Sequence, residues 1–451
     1  MTPESITHRR ILKAALPIIL SNATIPILGA VDTGVIGQLG AAAPIGAVGI
    51  GAIVLSSLYW LFGFLRMGTT GLVAQAVGAG NKAEASALLM RGLIVGGAAG
   101  LALVMLQFPL FWLAFKISPA SAEVESLAHS YLSVRIWSAP AAIGIFAITG
   151  WLIGQERMRA VLVLQLVMNL SNIGLDIWFV LGLDWGVPGV AFATVLAEIL
   201  GLTVGLYLCR SAFAGRAWRD RARIFDRLRI ARMLVVNGDI MMRSVLLLAA
   251  LQAFLFTAAG LGDEALAANQ VLMQFMNITA YALDGFAFAV EALVGASLGA
   301  GALATLRRAV LLCAIWSLIG AVLLALGFWV FGPWLIDVMS TNDGVRAAAR
   351  NYLPWMVLAP LVGVASWFLD GVFIGATATR AMRIAMLQST LIYAVALAIL
   401  VPLWGNHGLW LALMVLFVAR AATLARRYPE IELAAASQSL RPLPTASATE
   451  A

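Results

Sequence analysis

Asp32 and Asp176 are the residues of this chain best placed to do chemistry. Each is a carboxylate inside an apolar run, ILSNATIPILGAVDTGVIGQLG around the first and LVLQLVMNLSNIGLDIWFVLG around the second. A charged side chain at the centre of a bilayer-spanning helix costs roughly 2.5–3.5 kcal/mol on insertion scales. Two of them in one apolar chain mark a site that handles protons or cations. Asn172 precedes Asp176 by four positions and so shares its helix face. Thr194 lies in the next apolar run. At a rise of about 1.5 Å per residue, Asp32, Asp176 and Thr194 all fall roughly 10 Å below one face of the membrane. Two carboxylates, an amide oxygen and a hydroxyl form a hard-oxygen set that suits a cation such as Na⁺, and the same carboxyls can carry protons. The plain structural alternative is a hydrogen-bonded pair.

Elements able to hold such groups must span a bilayer. The chain of 451 residues is 62% hydrophobic and 11% charged, with a mean hydropathy of +0.95. Globular domains carry roughly 25% charged residues, so there is little room for a soluble domain. Spans of roughly 20 apolar residues fall at about 11–38, 44–77, 87–115, 127–153, 160–182, 186–210, 232–258, 265–298, 303–332, 348–376, 381–402 and 405–425. The N-terminal run continues into the first span and has no pattern of a cleavable signal.

The basic residues set the orientation. Arg9, Arg10 and Lys13 start one series, which continues with Lys82 and Arg91, Arg157 and Arg159, a cluster from Arg210 to Arg232, Arg307 and Arg308, Arg380 and Arg383, and a C-terminal group of Arg420, Arg426, Arg427 and Arg441. The intervening loops hold Asp184, Asp263, Glu264, Asp337 and Asp343, with few basic residues (Lys116, Arg346, Arg350). Both termini are therefore expected in the cytoplasm. The net charge of +7 is a topology signal, and a nucleic-acid partner is not expected.

The chain repeats itself. GLVAQAVGAG matches ALVGASLGAG, and a single offset of 221 positions aligns Gly78 with Gly299, Tyr131-Leu132 with Tyr352-Leu353, and Gly150, Gly154 and Arg159 with Gly371, Gly375 and Arg380. Two six-helix halves that enter from the same side make a parallel repeat. The expected fold is an all-α polytopic membrane protein of about twelve helices in two pseudo-symmetric six-helix bundles. Its parts are an N-lobe over 1–210, a basic connector with an interfacial amphipathic helix over 211–231, a C-lobe over 232–427 and a disordered cytoplasmic tail over 428–451. Under the repeat, Asp176 meets Leu397, Asn172 meets Tyr393 and Asp32 meets Ala253. The acidic pair thus belongs to the N-terminal half alone.

Several other polar residues fall inside the spans. Asp239 and Arg243 are spaced as an ion pair on one helix face. Asn22, Asn169, Gln252, Gln270, Gln274, Asn277, Tyr281 and Asp284 could line a substrate cavity, although some such groups serve interhelical hydrogen bonds instead. Glu198, Glu291, Asp370, Arg66 and Arg135 need partners that the sequence does not name. Met241, Met242, Met273 and Met276 fit core packing better than an adaptable binding surface. Cys209 and Cys313 read as reduced packing residues.

The pieces ALPIILSN with LGAVDTGVIGQLG, NIGLDIWFVLGL with GVAFATVLAE, LDGVFIGAT and WGNHGLWLAL together resemble the multidrug and toxic compound extrusion (MATE) family, in its DinF-like branch, over nearly the whole chain. The resemblance implies a cation-driven exporter with two lobes arranged as a V. It implies an N-lobe proton or cation site at Asp32, Asn172, Asp176 and Thr194. It also implies a helix bend at Pro17, where a proline frees a backbone carbonyl.

The expectation that follows is a secondary exporter of amphipathic, often cationic drugs, driven by H⁺ or Na⁺ and needing no cofactor. It would sit as a monomer among the lipids of a prokaryotic inner membrane. A lipid or lipid-linked flippase of the same superfamily is the alternative. A membrane enzyme is disfavoured, because His8, His129 and His407 all lie near span ends and form no catalytic pattern.

Overall fold

A computed structural model describes residues 5–38, 42–117 and 121–439. Arg441 and residues 440–451 of the expected tail lie outside them. The described residues are helical throughout, without strands. The first half contains α1 (His8–Gly37), α2 (Ala42–Leu61), α3 (Gly63–Gly78), α4 (Lys82–Met105), α5 (Gln107–Ile117), α6 (Ala122–Arg135), α7 (Ala139–Gly154), α8 (Met158–Asp176) and α9 (Gly186–Leu208). A short α10 (Arg221–Ile224) precedes α11 (Arg227–Ala259), α12 (Asp263–Gly299), α13 (Leu303–Met339), α14 (Asp343–Gly375), α15 (Thr379–Ala425) and α16 (Tyr428–Ser439).

Ten helical runs among the described residues are long and apolar enough to cross a membrane. The last of them contains Gly405 in a non-helical conformation (φ 54°, ψ −129°), which divides α15 into two rods. With α1 added, the run of spans agrees with the twelve expected. The break at Gly405 is stitched by a buried polar cluster. Asn269 and Asn406 donate to each other at 2.7 and 3.0 Å, and Trp410 Nε1 donates to Asn269 Oδ1 at 2.9 Å. In hydrocarbon such interhelical bonds satisfy polar groups that water cannot reach.

The repeat is visible in the backbone at the same offset of 221. Left-handed φ values pair as Gly80 (72°) with Gly301 (63°), Glu156 (59°) with Thr377 (52°), and Asp184 (53°) with Gly405 (54°). The first pair follows the C-termini of α3 and α12, where glycine lets the chain reverse. Thr377 is β-branched and disfavours this region. Its Oγ1 accepts from Gln75 Nε2 at 3.0 Å, and the same amide reaches Gly375 O at 3.2 Å.

Glycines also set how closely helices approach. A β-carbon on Gly78 would lie 2.0 Å from the carbonyl oxygen of Ala296, and one on Gly299 would lie 2.0 Å from that of Gln75. Gln75 and Ala296 are themselves repeat partners, so α3 and α12 cross reciprocally at their C-terminal ends. On α4, Gly92, Gly96 and Gly100 follow one another every four residues and face Ala147, Gly144 and Pro140 of α7. Small residues at this spacing let membrane helices touch backbone to backbone.

The contacts divide the chain into two compact units. Unit 1 is Met1–Lys13, Gly71–Lys82 and Leu246–Ala451; unit 2 is Ala14–Thr70 and Ala83–Val245. This partition differs from lobe boundaries at 210 and 232. The first half of α11 packs within unit 2, where the absence of a side chain on Gly68 admits Asn237 and Glu84 pairs with Arg229. In unit 1 the core is aromatic and aliphatic, with Phe254 edge-on to Trp410 at 4.8 Å and Phe275 edge-on to Phe328 at 5.1 Å.

Two expectations need correction. The tail is not disordered from residue 428: α16 is a helix that buries Ile431 and Ala435 against α12 and α13. The connector holds no amphipathic helix of useful length; Arg210–Phe213, Ala217–Arg219 and α10 are single turns. Gly215 disfavours a continuous rod through this segment.

Candidate functional site

Unit 2 brings three i, i+4 pairs together. Asn172 and Asp176 project from α8, Thr194 and Glu198 from α9, and Tyr131 and Arg135 from α6. Asp32 on α1 and Tyr59 on α2 complete the group. Close helix packing makes this convergence achievable: Gly201 of α9 abuts Met168 of α8, and Gly205 abuts Ile148 of α7. Asp176 is the last α-helical residue before a six-residue π-helix, Ile177–Gly182. Such changes of helical period are frequent at functional sites because they re-aim the preceding side chains.

Asp176 is fully buried and Asn172 and Asn169 nearly so, while Asp32 and Thr194 are half-buried. The carboxyls of Asp32 and Asp176 are neighbours in this group. Asn172 Nδ2 donates to Thr194 Oγ1 at 3.3 Å, and that hydroxyl donates to Val190 O at 3.0 Å. No N–H or O–H of the described residues reaches Asp32 Oδ1, Asn172 Oδ1 or either oxygen of Asp176. A buried acceptor without a donor is costly. Four in one place form a seat for a proton or a hard cation. No group of three His, Cys, Asp or Glu side chains suited to a metal ion occurs among the described residues.

A residue pair unresolved in the sequence flanks this seat. Arg135 Nη1 donates to Glu198 Oε2 at 2.9 Å and to Ser138 Oγ at 2.8 Å. Its charge also acts on both Asp32 and Asp176. The available signal was spacing: Glu198 follows Thr194 by one helical turn. The buried cluster thus holds three acids and one arginine.

The remaining sequence candidates are dispersed. Asn169 Nδ2 donates to Thr24 Oγ1 at 2.6 Å, tying α8 to α1. Asn22 is half-buried on α1. Pro17 lies inside α1, and so does Pro26, which the sequence reading did not single out. Asp239 and Arg243 are buried on one face of α11 within unit 2. Gln252 is exposed on α11. Gln270, Gln274, Asn277, Tyr281 and Asp284 form one polar face of α12 in unit 1, exposed or half-buried, with Asn277 donating to Gln274 at 3.2 Å. The opposite face buries Leu272, Phe275, Thr279 and Phe286. Asp370 forms a buried ion pair with Arg420 between α14 and α15.

Neither histidines nor cysteines join the site. Trp316 donates to His8 at 3.1 Å, Trp355 donates to His407 at 3.0 Å, and His129 packs on Phe111 and Phe115. Both cysteines are free and buried.

The family model described as MatE matches residues 17–178 and 240–400. The chain belongs to the MatE family. The two matched blocks fall one in each half of the repeat. DNA damage-inducible protein F of Escherichia coli strain K12 is 40% identical over 426 residues, which cover 91% of this chain and 90% of that protein. The DinF-like resemblance read from the sequence therefore stands. A probable multidrug resistance protein NorM of Pseudomonas aeruginosa is 27% identical over 479 residues, covering 100% of this chain and 93% of the relative. The crystal structure of a MATE transporter in a bent conformation superposes with a TM-score of 0.85 at 18% identity, over 95% of this chain and 96% of that one; it shares the fold. MatE proteins are transporters that work without a cofactor, so this chain is a multi-pass membrane transporter and not an enzyme.

Proposed function

We propose that the chain is a secondary active exporter of amphipathic, often cationic small molecules, driven by inward flow of protons through the Asp32–Asp176 pair. The observation that carries this reading is the set of four buried acceptors without donors at Asp32, Asn172 and Asp176. The names of its relatives, multidrug resistance protein NorM among them, supply the substrate class. Protonation from the outer side neutralises the pair, and re-ionisation on the inner side restores its charge. For this to drive transport, the proton must bind one conformation of the transporter more tightly than the other.

A proton is favoured over Na⁺ because either of the two carboxyls can hold one without further ligands. A Na⁺ ion would require both of them, Asn172 Oδ1 and Thr194 Oγ1 to turn toward a common centre. The polar face of α12, from Gln270 to Asp284, would contact substrate, and Pro17 would let α1 change shape as Asp32 gains and loses its proton. The transporter would reside in the inner membrane of a prokaryote, as a monomer with both termini in the cytoplasm.

The test is dye accumulation in cells that express the wild type or Asp32→Asn at equal levels. The wild type is expected to keep a cationic dye out and the variant to let it accumulate. Equal exclusion by both would remove Asp32 from the coupling site.

A further inference from the structure

Between α9 and α11 an open cavity of about 600 Å³ is lined by Ala83, Arg216, Ala217, Arg219, Asp220 and Arg223. Its walls are built rather than loose. Arg91 of α4, only 3% exposed, donates to Ile224 O at 2.9 Å and to Arg223 O at 2.7 Å, and its Nη1 meets Glu84 at 2.8 Å. That buried guanidinium clamps the connector onto α4. Trp218 packs edge-on against Phe213 at 5.5 Å, and Arg219 lies over the Trp218 ring at 4.3 Å.

The cationic groups of the cavity are not equivalent. Arg223 is committed, to Asp220 at 3.5 Å and Glu84 at 3.8 Å, and Asp220 is committed as the N-cap of α10, accepting from Arg223 N at 3.1 Å. Arg216 and Arg219 are exposed and form no ion pair among the described residues. Two uncompensated guanidinium groups at a cavity mouth suit a phosphate, which the planar fork engages through paired N–H donors.

A second observation indicates where the phosphate comes from. Directly after α10, Phe225 is 57% exposed and Leu228 is 83% exposed. Exposed apolar side chains two and five residues past the cavity-lining Arg223 match a lipid, with a phosphate on the arginines and hydrocarbon on the apolar pair. We propose that this cavity binds the headgroup of an anionic phospholipid, with Arg216 and Arg219 on the phosphate and Phe225 and Leu228 against the acyl chains.

The experiment compares native mass spectra of full-length protein taken from phosphatidylglycerol-containing and from pure phosphatidylcholine vesicles. The wild type is expected to retain phosphatidylglycerol. Arg216→Ala/Arg219→Ala is expected to retain about thirtyfold less, since each basic residue near an anionic surface adds to the attraction. Arg426→Ala/Arg427→Ala, at the other basic cluster, is expected to match the wild type. Should the first variant fail to fold, Ala217→Trp obstructs the cavity between Arg216 and Arg219 without removing charge and is expected to give a comparable loss. Retention of phosphatidylglycerol by both cavity variants would overturn the site. So would equal retention of phosphatidylcholine by the wild type. Inorganic phosphate that displaces the lipid at millimolar concentration would assign the cavity to free phosphate and overturn the lipid.

Discussion

Arg135 hands one N–H of its guanidinium to the carboxylate of Glu198 at 2.9 Å, with only 11% and 13% of the two side chains exposed. Removing one partner of a buried pair strands the other charge and costs about 3–5 kcal/mol, whereas replacing both with apolar residues is often neutral. Arg135→Met and Glu198→Leu are therefore each expected to lower the melting temperature of the purified transporter, and the double variant is expected to recover much of the loss. Thermal unfolding in detergent measures this. A double variant as unstable as the sum of the singles would contradict the pairing.

Asp176 and Thr194 offer a separation of binding from folding. Asp176→Asn keeps the volume of the side chain and removes the charge, so the fold is expected to survive while gradient-driven export falls by tenfold or more, roughly 1.4 kcal/mol or above in the coupled step. Thr194→Val removes a hydroxyl that accepts from Asn172 at 3.3 Å, and a smaller loss is expected, about 1 kcal/mol. Initial rates of drug efflux at matched protein content decide both.

The reciprocal crossing of α3 and α12 makes a prediction about symmetry. Gly78→Ala and Gly299→Ala each push a methyl group against a carbonyl oxygen, and overpacking of this kind costs about 1–3 kcal/mol. The two variants are expected to lose similar stability. Gly97→Ala, where the added carbon meets nothing within 4 Å, is expected to be neutral or slightly stabilising. Melting temperatures of the three variants provide the check.

Helix α16 carries a pH dependence that can be signed. Arg307 forms a bidentate contact with Glu432 at 3.0 and 2.7 Å, and this contact holds the Glu432 carboxyl below its ordinary value of 4.5. Burial pushes the neighbouring Tyr428 hydroxyl up to about 12, so it stays neutral at physiological pH. A carboxylate with a depressed folded value stabilises docking fully above the unfolded value and loses that contribution as pH falls through the folded one. Hydrogen exchange across Tyr428–Ser439 is therefore expected to be insensitive to docking changes from pH 5 to 8 after correction for intrinsic rates. It should accelerate only below about pH 4. Glu432→Gln should accelerate it at neutral pH.

Much of the architecture was legible because lipid imposes a simple code. Apolar runs of span length, basic loops on one side and glycines at an offset of 221 are all local or periodic signals. The same offset returned in the structure as paired left-handed residues, Asp184 with Gly405 among them. That Asp32, Asn172, Asp176 and Thr194 come together was legible because polar groups are rare in apolar helices. What escaped depends on distant contacts. Arg135 and Glu198 are separated by 63 positions, and nothing local pairs them. The docking of α16 depends on Ile431 and Ala435 finding α12 and α13, and a short polar helix has too weak a pattern to announce this. The assignment of the first half of α11 to unit 2 rests on contacts distant in sequence, Gly68 with Asn237 and Glu84 with Arg229.

The coupling role of the Asp32–Asp176 pair is tested most directly by efflux from proteoliposomes in which a pH gradient and a Na⁺ gradient are imposed separately. The account predicts that a pH gradient alone drives export in the wild type, that a Na⁺ gradient alone does not, and that Asp32→Asn abolishes the proton-driven flux. Export that follows the Na⁺ gradient alone would contradict protons as the coupling ion. Undiminished proton-driven export by Asp32→Asn would contradict the site.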